Sequence, residues 1–134
     1  MILSADARLD IEASFLAYCA AIDRRADAGE AAGYYCTDGV MDNTSLDNPL
    51  VEGRAALIAT ITAMFRSMAR LEHYISNFLV TGHDGNTAQA QCYVQAYGQP
   101  VGGDAFAMRG LYRIETRQVG GQWKIARLTF QLFA

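Results

Sequence analysis

What the sequence has little of narrows its class before any residue is singled out. It holds only two prolines, Pro49 and Pro100, and no proline-rich, repeated or low-complexity stretch, so neither a linker nor a second domain is marked out. Its three cysteines, Cys19, Cys36 and Cys92, are odd in number and widely spaced, which fits neither a disulfide framework nor a CxxC metal site. They read as reduced packing residues, since a free thiol behaves as a small hydrophobe. Only two histidines occur, His73 and His83, and no HExxH pattern, so no protein-built metal site is expected. There is no block of basic residues and the net charge is −3, which argues against nucleic acid or an anionic membrane as partner. No apolar run approaches the roughly 18 residues of a membrane span. The first residues lack the basic-then-apolar order of a secretion signal, and the expectation is a cytoplasmic protein.

What is present suffices for a folded core. Hydrophobic residues make up 51% and charged residues 19%, which excludes disorder. Residues 1–134 are expected to form one domain, near the commonest domain size. The clearest helix is predicted from Ala5 to Ala28, with Ser4 as N-cap, Asp6 in its first turn and Gly29 as its stop. Ile11, Phe15, Tyr18, Cys19, Ile22 and Ala26 form its buried stripe, and at about 100° per residue Asp23 falls on the shoulder of that stripe. Glu30 to Cys36 reads as a short second helix, Val40 to Thr44 as a short strand, and Arg54 to about Ala69 as a third helix.

After residue 70 the hydrophobic period changes from helical to two. Strands are predicted at Leu71–Val80, Thr87–Tyr97, Ala105–Arg117 and Trp123–Phe133, joined by glycine-rich hairpin turns. Helices first and consecutive antiparallel strands afterwards indicate an α+β fold, with helices packed on one face of a sheet. In the second of these strands small apolar residues alternate with Gln89, Gln91, Tyr93, Gln95 and Tyr97, an amphipathic face long enough to meet a partner.

The stretch Leu71–Val80 carries the residue of greatest chemical interest. Strict alternation puts His73, Ile75, Asn77 and Leu79 on one face. An imidazole in such apolar company must be hydrogen-bonded or useful, because an unpaired buried polar group costs a few kcal/mol. His83 is expected in a turn.

Four segments together resemble the SnoaL-like branch of the nuclear-transport-factor-like superfamily. They are Tyr18-x4-Asp23-x3-Asp27, Glu52-Gly53-Arg54, His73-Tyr74-x2-Asn77, and Gly110-x-Tyr112 followed by Gly121-x-Trp123-Lys124-Ile125-x-Arg127. The resemblance covers nearly the whole chain. It implies a cone: three N-terminal helices packed on a strongly curved antiparallel sheet, enclosing a mostly apolar pocket, often in a dimer. The superfamily includes scytalone dehydratase, a bile-acid dehydratase, hexachlorocyclohexane dehydrochlorinase, ketosteroid isomerase, polyketide cyclases and many non-catalytic members. In the dehydratases and the dehydrochlorinase an Asp late in the first helix works with a His at the start of a strand, positions matched here by Asp23 and His73. Tyr18 matches a tyrosine of the bile-acid dehydratase, and Arg127 approximates a final-strand arginine.

These residues suggest a specific chemistry. A carboxylate bonded to one ring nitrogen fixes the imidazole tautomer and leaves the other nitrogen as a base able to take a C–H proton. The sequence therefore points to a cofactor-independent lyase or isomerase, dehydratase-, dehydrohalogenase- or ketosteroid-isomerase-like. His73 would be the base, Asp23 its orienter, and Tyr18 and Arg127 stabilisers of negative charge. Asn77, Phe15, Trp123 and Met108 are the expected substrate contacts, and the substrate a small apolar or cyclic molecule. The alternative is a non-catalytic ligand-binding or dimeric assembly module, its homodimer formed through the open sheet face. A small subunit of a ring-hydroxylating dioxygenase is less favoured, since those subunits are usually longer.

Overall fold

The structure, a computed structural model, describes residues 3–133. Helix α1 (Ala5–Arg24) starts where Ser4 Oγ accepts the Ala7 amide at 3.1 Å, and it buries Ile11, Phe15, Tyr18, Cys19 and Ile22 along one stripe. It stops four residues before the predicted end. Arg25 takes a left-handed conformation, φ 53°, and its amide returns to the Ile22 carbonyl. Asp27 then caps a separate short helix, α2 (Ala28–Ala32), by accepting the Gly29 amide at 2.8 Å. The predicted second helix over Glu30–Cys36 is thus displaced, and Tyr35 and Cys36 already belong to strand β1 (Tyr35–Asp42). A single 3₁₀ turn (Thr44–Leu46) and the two-residue strand β2 (Val51–Glu52) lead to α3 (Arg54–Ser67), which runs directly into β3 (Met68–Asp84).

Strands β4 (Thr87–Pro100), β5 (Phe106–Val119) and β6 (Gln122–Leu132) complete one open six-stranded sheet in the order β2-β1-β6-β5-β4-β3. Every neighbouring pair is antiparallel except β1 and β6, which run parallel. The expected α+β architecture of three helices on a mostly antiparallel sheet is what the molecule has. Between helices and sheet lies the core, centred on Phe15, Tyr35, Leu57, Ile61, Cys92 and Ile114. A smaller cluster of Ile11, Ala88 and Trp123 sits apart from it. Cys19, Cys36 and Cys92 are buried and unpaired. Among the described residues no helix is long and apolar enough to cross a membrane.

Bulges bend β3, and one of them decides which side chains look inward. Ser76 pairs with Tyr93 and Leu79 with Gln91, so Asn77 and Phe78 together face the single residue Cys92. Asn77 absorbs the irregularity at φ 56°, a conformation that asparagine tolerates better than most side chains. Side-chain parity flips there. Leu71, His73 and Ile75 turn inward before the bulge; Phe78 and Val80 do so after it, leaving Asn77 and Leu79 exposed. The predicted face of His73, Ile75, Asn77 and Leu79 is therefore broken at its midpoint. His83, expected in a turn, is still in β3 opposite Ala88, half-buried.

Candidate active site

Asp23 is the penultimate residue of α1, and its side chain reaches the first part of β3. One carboxylate oxygen, Oδ2, accepts the backbone amide of His73 at 3.0 Å, and the other, Oδ1, meets His73 Nδ1 at 2.6 Å. Gripping both amide and ring of one residue fixes the imidazole in position and plane. An ionised carboxylate only accepts, so Nδ1 carries the hydrogen and Nε2 keeps its lone pair. Both side chains are largely withdrawn from solvent, 14% exposed for His73 and 28% for Asp23, which strengthens the pairing relative to one in water.

His73 opens onto a cavity of about 830 Å³, within the range of small-molecule sites. Asp23 is not part of its wall and stands behind the ring. Helix α1 contributes Tyr18, Cys19 and Ile22; α3 contributes Ala56, Thr60, Met64 and Ser67; and the sheet contributes Met108, Tyr112 and Phe130 among others. The α3 positions recur every three or four residues, so one stripe of that helix roofs the cavity. Met108, one of the expected substrate contacts, lines the cavity.

Tyr18 shares the cavity with His73, and its hydroxyl accepts a hydrogen bond from buried Tyr35 at 2.9 Å. Burial pushes the Tyr18 phenol well above its ordinary pKa; burial and then the neighbouring Tyr18 do the same for Tyr35. Both stay neutral, and with Tyr35 filling its acceptor side Tyr18 retains a hydrogen to offer the cavity. Sequence reasoning missed Tyr35 by assigning it to a helix end. Its position on a strand, opposite Ile125, is what aims it at Tyr18. The Cys19 thiol also borders the cavity and is pushed up by burial, hence a neutral wall and no nucleophile.

The remaining expected residues lie elsewhere. Arg127 Nη2 is bonded to Asp42 Oδ2 at 2.6 Å and is absent from the cavity wall, because β6 lies beside β1 and brings the end of that strand within its reach. It meets neither Asp23 nor the cavity. Asp42 also accepts from the Thr44 hydroxyl at 2.7 Å and the Thr44 amide at 3.0 Å. These bonds, with Arg127 adding to them, hold the Asp42 carboxyl below its usual range. Asn77 is exposed at the bulge. Phe15 is 1% exposed and acts behind the wall, its ring 5.6 Å from that of Tyr112 and 6.2 Å from that of Tyr18. Trp123 is buried in the smaller cluster with Ile11 and Ala88. Among the described residues no three His, Cys, Asp or Glu side chains gather as a metal site.

A family model described as a SnoaL-like domain matches residues 4–129. No curated protein matches the chain. Among solved structures, one from Novosphingobium aromaticivorans, provisionally named an aromatic ring hydroxylase, is 29% identical with a TM-score of 0.95, over 99% of this chain and 93% of that one. A second structure from the same organism, provisionally named a scytalone dehydratase, is 20% identical with a TM-score of 0.85, over 94% and 83% of the two chains. A provisionally named dehydratase of the NTF2-like family from Streptomyces avermitilis is 12% identical with a TM-score of 0.80, over 97% and 99%. At those last two identities the likeness is one of fold.

Proposed function

The chain belongs to the SnoaL-like domain family, and from that premise we propose that it is a cofactor-independent lyase or isomerase acting on a small apolar or cyclic molecule. The observation that carries this reading is the double grip of Asp23 on His73 at the wall of a large apolar cavity. In the proposed reaction His73 Nε2 takes a proton from carbon. The released electron pair moves toward a neighbouring carbonyl, giving an enolate that the imidazolium reprotonates at another carbon, or it forms a double bond as a β-substituent departs. A β-halide departs as the anion, and a β-hydroxyl departs as water carrying the proton that His73 took. Asp23 stabilises the imidazolium so formed. Tyr18 donates a hydrogen bond to the oxygen that gains charge, a role that desolvation strengthens. Arg127 has no part at the reacting atoms; it clamps the loop after β1 through Asp42.

A direct test needs no knowledge of the natural substrate. The α-protons of 4-phenylcyclohexanone are followed by NMR in deuterated buffer with native protein and with His73→Gln. Native protein should accelerate exchange above buffer, and the variant should lose roughly 10²–10⁴-fold of that acceleration. Equal acceleration by both proteins would remove His73 from the mechanism.

A second reading, an assembly module, draws on the outer face of the sheet. Tyr74, Leu79, Tyr93, Tyr97 and Phe133 are all exposed there, Tyr97 also bordering the cavity, and clustered apolar side chains of this kind suit an interface. A homodimer through that face is the proposed arrangement, and light scattering at micromolar concentration tests it. The hydroxylase name of the Novosphingobium structure belongs to a different chemistry, one that moves electrons to an oxidant. A carboxylate-held imidazole moves protons, which is the step that elimination and isomerisation share. The three buried thiols suit a reducing compartment such as the cytoplasm.

A further inference from the structure

Among the described residues, the wall of the large cavity includes no lysine, arginine, aspartate or glutamate. A carboxylate, phosphate or sulfonate entering it would lose its hydration with no lysine or arginine to replace it, which favours an uncharged ligand. The polar side chains of the wall include His73 and Tyr18, Thr60 and Ser67 on α3, Tyr97 and Tyr112 on the sheet, and Asn43 and Asn48 on the loop after β1, flanking the 3₁₀ turn.

That loop is built rigidly. The Asn43 carbonyl accepts the amides of Leu46 at 2.9 Å and Asn48 at 3.4 Å. Ser45 Oγ donates to the Phe130 carbonyl at 2.7 Å, and Asp42 holds Thr44 while paired with Arg127. These bonds pin the loop to β6, and none of them uses the side-chain amide of Asn43 or Asn48. Pinning the backbone while placing two asparagines at the cavity wall, Asn43 half-buried and Asn48 exposed, is how a recognition point is preorganised. Its distance from His73 follows from strand order. β1 and β3 are separated by β6, β5 and β4, four strand spacings, or about 19 Å measured along the sheet and less across its curvature.

We propose that Asn43 and Asn48 read an uncharged oxygen, hydroxyl or carbonyl, at the end of an elongated apolar ligand remote from the carbon that His73 deprotonates. An asparagine amide both donates and accepts, so it matches either group. The place of the reacting carbon rests on the lyase or isomerase reading; the recognition of oxygen rests on binding alone.

The test uses 4-phenylphenol and biphenyl, which differ only in the hydroxyl, titrated calorimetrically into native protein, Asn43→Leu/Asn48→Leu and His73→Gln. Native protein should bind 4-phenylphenol roughly tenfold more tightly than biphenyl, the effect of one well-placed hydrogen bond. The double variant should bring the two within about twofold by losing affinity for the phenol alone, while His73→Gln keeps the preference. Circular dichroism and the melting midpoint establish that each variant is folded. If the double variant does not fold, Asn48→Ala, at an exposed position, must itself cut the preference by about threefold. A preference that survives the asparagine substitutions, one that vanishes in His73→Gln, or no binding of either probe by native protein overturns the inference. Failure of the deuterium-exchange experiment, by contrast, removes the catalytic reading and leaves this preference to stand or fall by itself.

Discussion

Asp23 and Asp42 each hold a basic side chain at 2.6 Å, and the two pairs do different work. Asp42 grips a guanidinium, which keeps its charge at any accessible pH and has no lone pair to give. With two further bonds to Thr44, that pair fastens a loop to a strand. Asp23 grips an imidazole, which after donating through Nδ1 still has a basic nitrogen to present to the cavity. Carboxylate geometry alone therefore does not mark a reactive site. What matters is whether the partner, once held, retains something to exchange.

The two pairs part most widely when His73 is replaced. His73→Gln should fold with a melting midpoint near that of native protein and lose roughly 10²–10⁴-fold of its proton-exchange rate with 4-phenylcyclohexanone. Asp23→Asn keeps the shape but offers an amide that can donate to the ring, favouring the wrong tautomer, and should cost roughly 10²–10⁴-fold in the same assay. Asp42→Ala should leave exchange within about twofold and lower unfolding stability by about 2 kcal/mol in urea, since it strands the charged and hydroxyl partners of a nearly buried carboxylate.

Acid separates them as well. The Asp42 carboxyl is held below its usual range by the Thr44 bonds and by Arg127, so its contribution to stability is complete above the ordinary carboxylate range. That contribution fades as pH falls through the depressed value. The gap in melting midpoint between native protein and Asp42→Asn should accordingly be full at neutral pH and close in strong acid. Smallest of all, Asn77→Ala should cost about 1 kcal/mol for placing alanine at φ 56°, with exchange unchanged, because Asn77 faces solvent and not the cavity.

The sequence made the first and third helices, the later strands and the Asp23–His73 pairing legible because each rests on periodicity or on residues matched in register. What it hid has a physical reason in each case. Alternation along β3 failed at a bulge whose one visible sign was Asn77, a residue suited to left-handed backbone. Arg127 was misjudged because its partner depends on β1 lying parallel beside β6, a tertiary choice that neither strand encodes locally. Tyr35 was lost to a helix that the chain abandons early, when Arg25 turns left-handed and Asp27 starts a new cap. Trp123 and Phe15 are large and apolar, and composition alone does not distinguish a cavity wall from the layer supporting it.

The parallel seam between β1 and β6 also bears on how the protein assembles. It pairs residues 87 to 90 positions apart, and the Asp42–Arg127 contact spans 85, so the intervening hairpins can form before it closes. Substitutions along the seam should therefore alter the unfolding rate more than the refolding rate. β6 must also emerge from the ribosome before the seam can form, so the cavity wall that Met41, Leu128 and Phe130 share is completed after the helices and the β3–β4 hairpin.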